Sequence, residues 1–77
     1  MTTRETILDI MKEIKPTVDF AGIDGIVESG YLDSMEFMGL IARLDEVFGI
    51  EIDFDDIVPE NFNTLAQIEA LVTKLQK

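Results

Sequence analysis

Residues 30–49 read GYLDSMEFMGLIARLDEVFG, and the fold turns on how this stretch is read. Asp33 is a good helix N-cap, and Glu36 three residues later strengthens the start, because its side chain can reach back to the capping backbone. Phe37, Leu40, Ile41, Leu44, Val47 and Phe48 then recur at the spacing of one helical face. Gly49 supplies the stop. The stretch is therefore an amphipathic helix that opens at Asp33-Ser34 and buries one stripe in a core the rest of the chain must complete.

Outward from this helix, the two ends of the chain read the same way. Thr2 with Glu5 fits a capping box, and Ile7, Leu8, Met11 and Ile14 follow at helical spacing up to Pro16, which predicts a helix over about residues 3–15. Thr64 with Gln67 fits another, and Leu65, Ile68, Leu71, Val72 and Leu75 carry a last helix to about residue 76. Residues 16–32 form a long connection with Gly22, Gly25 and Gly30. Its apolar anchors at Val18, Phe20, Ile23, Ile26, Val27 and Leu32 imply that it packs over the bundle. Ile50-Glu51-Ile52-Asp53-Phe54 alternates like a strand, but with no partner strand in the sequence it reads as an extended connection. One short helical turn is expected near Asp55 to Val58. The expected architecture is all-α, three longer helices and one short one around a single core, with residues 1–77 as one domain.

Composition narrows the function. The chain has 77 residues, six bases against 16 acids and a net charge of −10. Such a chain repels nucleic acid and anionic membrane surfaces and attracts basic protein partners. Nine of the acids lie between Asp33 and Glu60, with Arg43 the one base among them. Histidine and cysteine are both absent, which removes the usual general base, thiol nucleophile and metal ligands. Any chemistry at a serine hydroxyl must then be done by another protein, and the composition argues against an enzyme. Asp53-Phe54-Asp55-Asp56 is no EF-hand loop, since Val58 and Thr64 stand where glycine and glutamate are required. No metal site is expected. No run approaches the roughly 18 apolar residues of a membrane span, and the first residues lack a signal-peptide stretch. A monomer in the cytoplasm is the expectation.

Gly30-Tyr31-Leu32-Asp33-Ser34-Met35 at the head of a helix resembles the attachment motif of the acyl carrier protein family, usually Gly-x-Asp-Ser-Leu, here with one extra residue after the glycine and Met for Leu. Asp-Ser before a helix alone is ordinary capping. Length, acidity, the missing His and Cys and the order of helices extend the resemblance over essentially the whole chain. It implies a four-helix bundle of acyl-carrier type, with 4'-phosphopantetheine joined covalently to Ser34 by a phosphopantetheinyl transferase that uses coenzyme A and magnesium. Asp33 is then a contributor to that reaction's metal site or positioning, and Tyr31 packs against the loop or the arm. An anion on Ser34 would sit at the positive end of the helix.

The face of this helix opposite its buried stripe carries Met35, Gly39, Ala42 and Glu46, with Met38 and Asp45 beside them, at about 100° per residue. Methionines and small residues are unusual on a solvated face, and mid-helix glycine costs about 1 kcal/mol relative to alanine. One reading is that a methionine tucks under the long loop and Gly39 permits close packing there. The other is a docking face. The resemblance favours docking and places Glu36, Met38, Ala42, Asp45 and Glu46 in a surface met by acyl- or aminoacyl-loading and processing enzymes with basic docking sites. Gly39 and Ala42 stand where such relatives often carry glutamates.

Fatty acid, polyketide and nonribosomal peptide synthesis all use such carriers. Phe48-Gly49-Ile50 and the run from Pro59 to Thr64, with the Ser34 motif, lean toward stand-alone aminoacyl, peptidyl or D-alanyl carriers. An acidic helical module that binds proteins without a prosthetic group is the alternative of a different class. The crowded acids between residues 45 and 60 repel one another, so added salt or divalent cations should raise the melting temperature in a thermal scan. An unchanged midpoint would contradict this.

Overall fold

The computed structural model describes residues 2–76 and holds three α-helices. These are α1 (Thr3–Ile14), α2 (Ser34–Phe48) and α3 (Leu65–Leu75), with single 3-10 turns at Phe20–Gly22, Phe54–Asp56 and Pro59–Asn61. Among the described residues there is no strand, and no helix is long and apolar enough to cross a membrane. This is the all-α architecture expected from the sequence. Met1 and Lys77, the ends of the expected 1–77 domain, lie outside the described residues.

Each helix starts with a reciprocal capping box. The Thr2 hydroxyl accepts from the Glu5 N–H (3.1 Å) while the Glu5 carboxylate accepts from the Thr2 N–H (2.9 Å). These bonds, led by that from the Thr2 backbone, hold the Glu5 carboxyl below its ordinary pKa. Thr64 and Gln67 repeat the pattern on α3, and Asp33 and Glu36 on α2. At the other end of α2, Gly49 takes φ 63° and its N–H donates to the Asp45 carbonyl. That left-handed conformation is one L side chains rarely adopt.

α1 packs against both α2 and α3. Ile7, Ile10 and Met11 meet Leu40, Ile41 and Leu44 of α2 and Leu65, Ile68, Leu71 and Val72 of α3 in one core. Phe37 and Phe48 line its edge, half-buried. Val47 departs from the predicted stripe and is 42% exposed. Phe48, one residue further along the axis, still packs on the core, so the difference is one of angle: at about 100° per residue Val47 falls at the edge of the stripe, on the side of Arg43. The chain reverses at Gly49, and Ile50 and Ile52, both buried, close that end of the core.

The alternation at Ile50 and Ile52 is real, with both buried and Glu51 and Asp53 exposed, and the segment forms no strand, as read. The hydrogen bond a neighbouring strand would supply comes instead from Asp45, whose carboxylate accepts from the Ile52 N–H at 3.1 Å. The short helical element expected near Asp55 takes the form of two 3-10 turns on either side of Val58. Val58 precedes Pro59 and is pushed into extended backbone (φ −130°, ψ 151°), which stops a continuous helix.

The long connection lies on the bundle. Phe20 and Ile26 are fully buried, and Val18, Ile23, Val27 and Leu32 pack on the core's edge. Its backbone N–H groups at residues 26–28 are satisfied by Asn63, the buried polar residue just before α3. The Asn63 side-chain oxygen accepts from the N–H groups of Val27 (3.0 Å) and Glu28 (3.1 Å), and its amide donates to the Glu28 carboxylate (2.6 Å). The Asn63 carbonyl accepts from the Ile26 N–H at 2.9 Å. Asn63→Ala leaves two backbone donors without their acceptor and should lower unfolding free energy by about 2–4 kcal/mol in urea titration; a loss below about 0.5 kcal/mol would show that water replaces the clamp.

Candidate functional site

Ser34 is the first residue of α2 and is exposed. Its position follows from the cap. The Asp33 carboxylate accepts from the Glu36 N–H (2.8 Å), the Glu36 carboxylate accepts from the Asp33 N–H (2.9 Å), and the Phe37 N–H donates to the Asp33 carbonyl (2.9 Å). Asp33 thus faces the helix start, while Ser34, between the two capping residues, is left to solvent. The loop arrives through Gly30, whose φ of 76° turns the chain with open space where a Cβ would stand. Tyr31 packs its ring edge-on against Phe20, with centroids 6.5 Å apart, so the tyrosine belongs to the loop's packing.

Around this head lies the face opposite the buried stripe. Met35 and Met38 are 85% and 56% exposed, and Ala42 and Glu46 are also exposed. Neither methionine is tucked under the loop. Gly39 is half-buried, yet a Cβ built there meets nothing within 4 Å, so close packing is not the reason for this glycine.

The acids read into the face are less free than the sequence implied. Glu36 is held by the cap and by Lys15 at 3.3 Å. Asp45 is turned toward the Ile52 amide. Glu46 pairs with Arg43 at 2.8 Å, and Arg43 also pairs with Glu13 of α1 at 3.1 Å. Those carboxylates, Glu13 foremost, raise the arginine's pKa further above its ordinary value. Glu51, Asp53, Asp55 and Glu60 remain exposed beyond the end of α2. Among the described residues no three carboxylates form a group able to hold a metal ion.

Two features escaped the sequence reading. Phe54 is 87% exposed because the alternation of Ile50 and Ile52 ends where the 3-10 turn begins. Lys15, which the sequence reading passed over, reaches the head of α2; a lone lysine at a helix end carries no pattern that would have revealed it.

An exposed hydroxyl at a helix start, with open backbone beside it and no base of its own, suits covalent modification by another protein. The comparisons agree. The model of the phosphopantetheine attachment site matches residues 4–72, and the chain belongs to that family: it is a carrier protein whose prosthetic group is covalent 4'-phosphopantetheine. It is similar to the D-alanyl carrier proteins of Streptococcus equi subsp. zooepidemicus (strain MGCS10565) and Streptococcus equi subsp. equi (strain 4047). Each is 26% identical over 81 residues, covering 99% of this chain and 98% of the relative.

Gly39→Ala should raise unfolding free energy by about 0.5–1 kcal/mol, since the methyl meets no neighbour and the helix gains propensity. A destabilised variant in chemical denaturation would mean that Gly39 has a packing role after all.

Proposed function

We propose that Ser34 is the attachment residue and that the chain carries acyl or aminoacyl groups between partner enzymes, with residues 1–77 acting as one carrier domain in the cytoplasm. The observation that carries this reading is the exposed Ser34 hydroxyl at the first position of α2, in a chain of a phosphopantetheine-bearing family. With neither histidine nor cysteine in the chain, the proton on Ser34 Oγ has no strong acceptor within the protein and passes to the transferase. As Ser34 Oγ bonds to phosphorus, the pyrophosphate link of coenzyme A breaks and the adenosine bisphosphate leaves. The positive end of α2 favours the anion so formed. Asp33, beside the hydroxyl, serves the transferase's magnesium or its positioning. The prosthetic group, once bound, supplies the thiol that this sequence lacks and so allows cargo to be held as a thioester.

The exposed α2 face, with Met35, Met38, Gly39 and Ala42 at its centre and Glu36, Asp45 and Glu46 among its acids, is the surface for the transferase and for loading and processing enzymes. Flexible thioethers beside small residues adapt to several partners, and the acidic surroundings favour partners with basic docking sites. Catalysis lies in those partners, and the carrier itself is no enzyme. For cargo, the similarity to D-alanyl carriers over nearly the full chain supports a small aminoacyl group, D-alanine first, over a fatty acyl chain.

Incubation with coenzyme A, magnesium and a broad-specificity phosphopantetheinyl transferase should add the mass of one phosphopantetheine to the chain and none to Ser34→Ala. An unmodified wild-type chain would leave the acidic binding module without prosthetic group as the better reading. The modified chain, offered a D-alanine-activating ligase and a fatty acyl ligase in parallel, should accumulate D-alanyl thioester. Preference for the fatty acyl group would remove the D-alanyl assignment and leave the carrier role intact.

A further inference from the structure

Ser34 lies in a stretch of backbone that one ammonium group holds on both sides. Lys15 closes α1, and its own backbone is fixed: its N–H donates to the Met11 carbonyl at 2.9 Å, and its carbonyl accepts from the Val18 N–H at 3.2 Å. Its side chain, 33% exposed, ends on two acceptors. Nζ donates to the Tyr31 carbonyl at 2.8 Å and to Glu36 Oε1 at 3.3 Å. The same Glu36 oxygen accepts from the Asp33 N–H at 2.9 Å. Residues 31, 33 and 36, which bracket Ser34, are therefore joined to the end of α1 through a single nitrogen. The Tyr31 N–H adds a tie to the Ile26 carbonyl at 3.2 Å.

A partly exposed ion pair contributes little to global stability, and that is not where this one acts. Its acceptors lie upstream and downstream of the reactive hydroxyl, so it sets where the hydroxyl is presented rather than whether the domain folds. It also places a cation on Glu36 beside a site already negative through Asp33, where modification adds a further negative charge. Without Lys15, the arriving loop would be loosened at Tyr31 and Glu36 would stand unneutralised next to the incoming phosphate.

We propose that Lys15 is a positioning residue for the modification of Ser34, holding residues 31–36 in the arrangement the transferase meets and offsetting the charge of Glu36. The inference rests on Ser34 being the attachment residue.

The test uses the full chain and three variants: Lys15→Met, Lys15→Arg and Lys12→Met. Lys12 is exposed on α1, so its replacement removes the same charge from the same helix without touching residues 31–36. Initial rates of phosphopantetheine transfer are measured over a range of carrier concentrations, and backbone amide exchange is followed without the transferase. Lys15→Met should lower kcat/KM roughly ten-fold, the scale expected from a small misplacement of a reacting group. It should speed amide exchange at residues 31–36 while the amides of α3 stay protected. Lys15→Arg should recover most of the rate, and Lys12→Met should stay within about two-fold of wild type. Wild-type kcat/KM in Lys15→Met overturns the proposal. So does an equal loss in Lys12→Met, which would assign the effect to net charge, or faster exchange throughout the chain, which would assign it to global stability. A wild-type chain that is never modified overturns the Ser34 reading and this inference together, whereas a modified wild type with an unaffected Lys15→Met overturns this one alone.

Discussion

Three helices of 12, 15 and 11 residues do not enclose a core unaided, and the connection between α1 and α2 has to complete it. Phe20 and Ile26 do this by burying their side chains fully, each contributing on the order of 1.5–3 kcal/mol. Burial of apolar side chains from irregular backbone brings peptide groups down with them, and those groups need partners. Asn63 is the answer for residues 26–28, taking three amide protons through its side chain and carbonyl. The seating of the connection in turn fixes the direction from which the chain enters α2, and so the position of Ser34.

The charge distribution follows a similar logic of constraint. Read along the chain, residues 33–60 look like one acidic field. In three dimensions the field divides. Glu36, Asp45 and Glu46 are engaged by Lys15, the Ile52 amide and Arg43, while Glu51, Asp53, Asp55 and Glu60 face solvent. The exposed face of α2 is accordingly a patch of thioethers and small residues whose nearest acids are partly neutralised, with free acids further along the chain. On the docking proposed for this face, a partner with basic groups would gain long-range attraction from the free acids and contact with an adaptable surface near the hydroxyl.

Much of this was legible beforehand, and the residues say why. Capping boxes are local, so Thr2, Asp33 and Thr64 marked their helix starts without knowledge of any neighbour. Gly49 marked its stop for the same reason. Helical periodicity identified Leu40, Ile41 and Leu44 as core, and missed on Val47 because that residue lies at the angular edge of the stripe, where spacing alone does not say how far the cover extends. The place of Ser34 at the head of α2 was readable because Asp33 and Glu36 mark the cap on either side of it; its exposure was not, since Leu65 holds the same position on α3 and is buried.

The sequence by itself determined the helices, their order, the acidic balance and the hydroxyl at the head of α2, since each depends on residues within a turn or two of one another. Only the tertiary structure decided that Asn63 clamps the long connection, that Lys15 ties the end of α1 to both flanks of Ser34, and that Asp45 stands in for a missing strand. Those interactions join positions 7 to 36 residues apart, and nothing in the spacing of a linear chain tells a lysine which carbonyl it will find when the chain has folded.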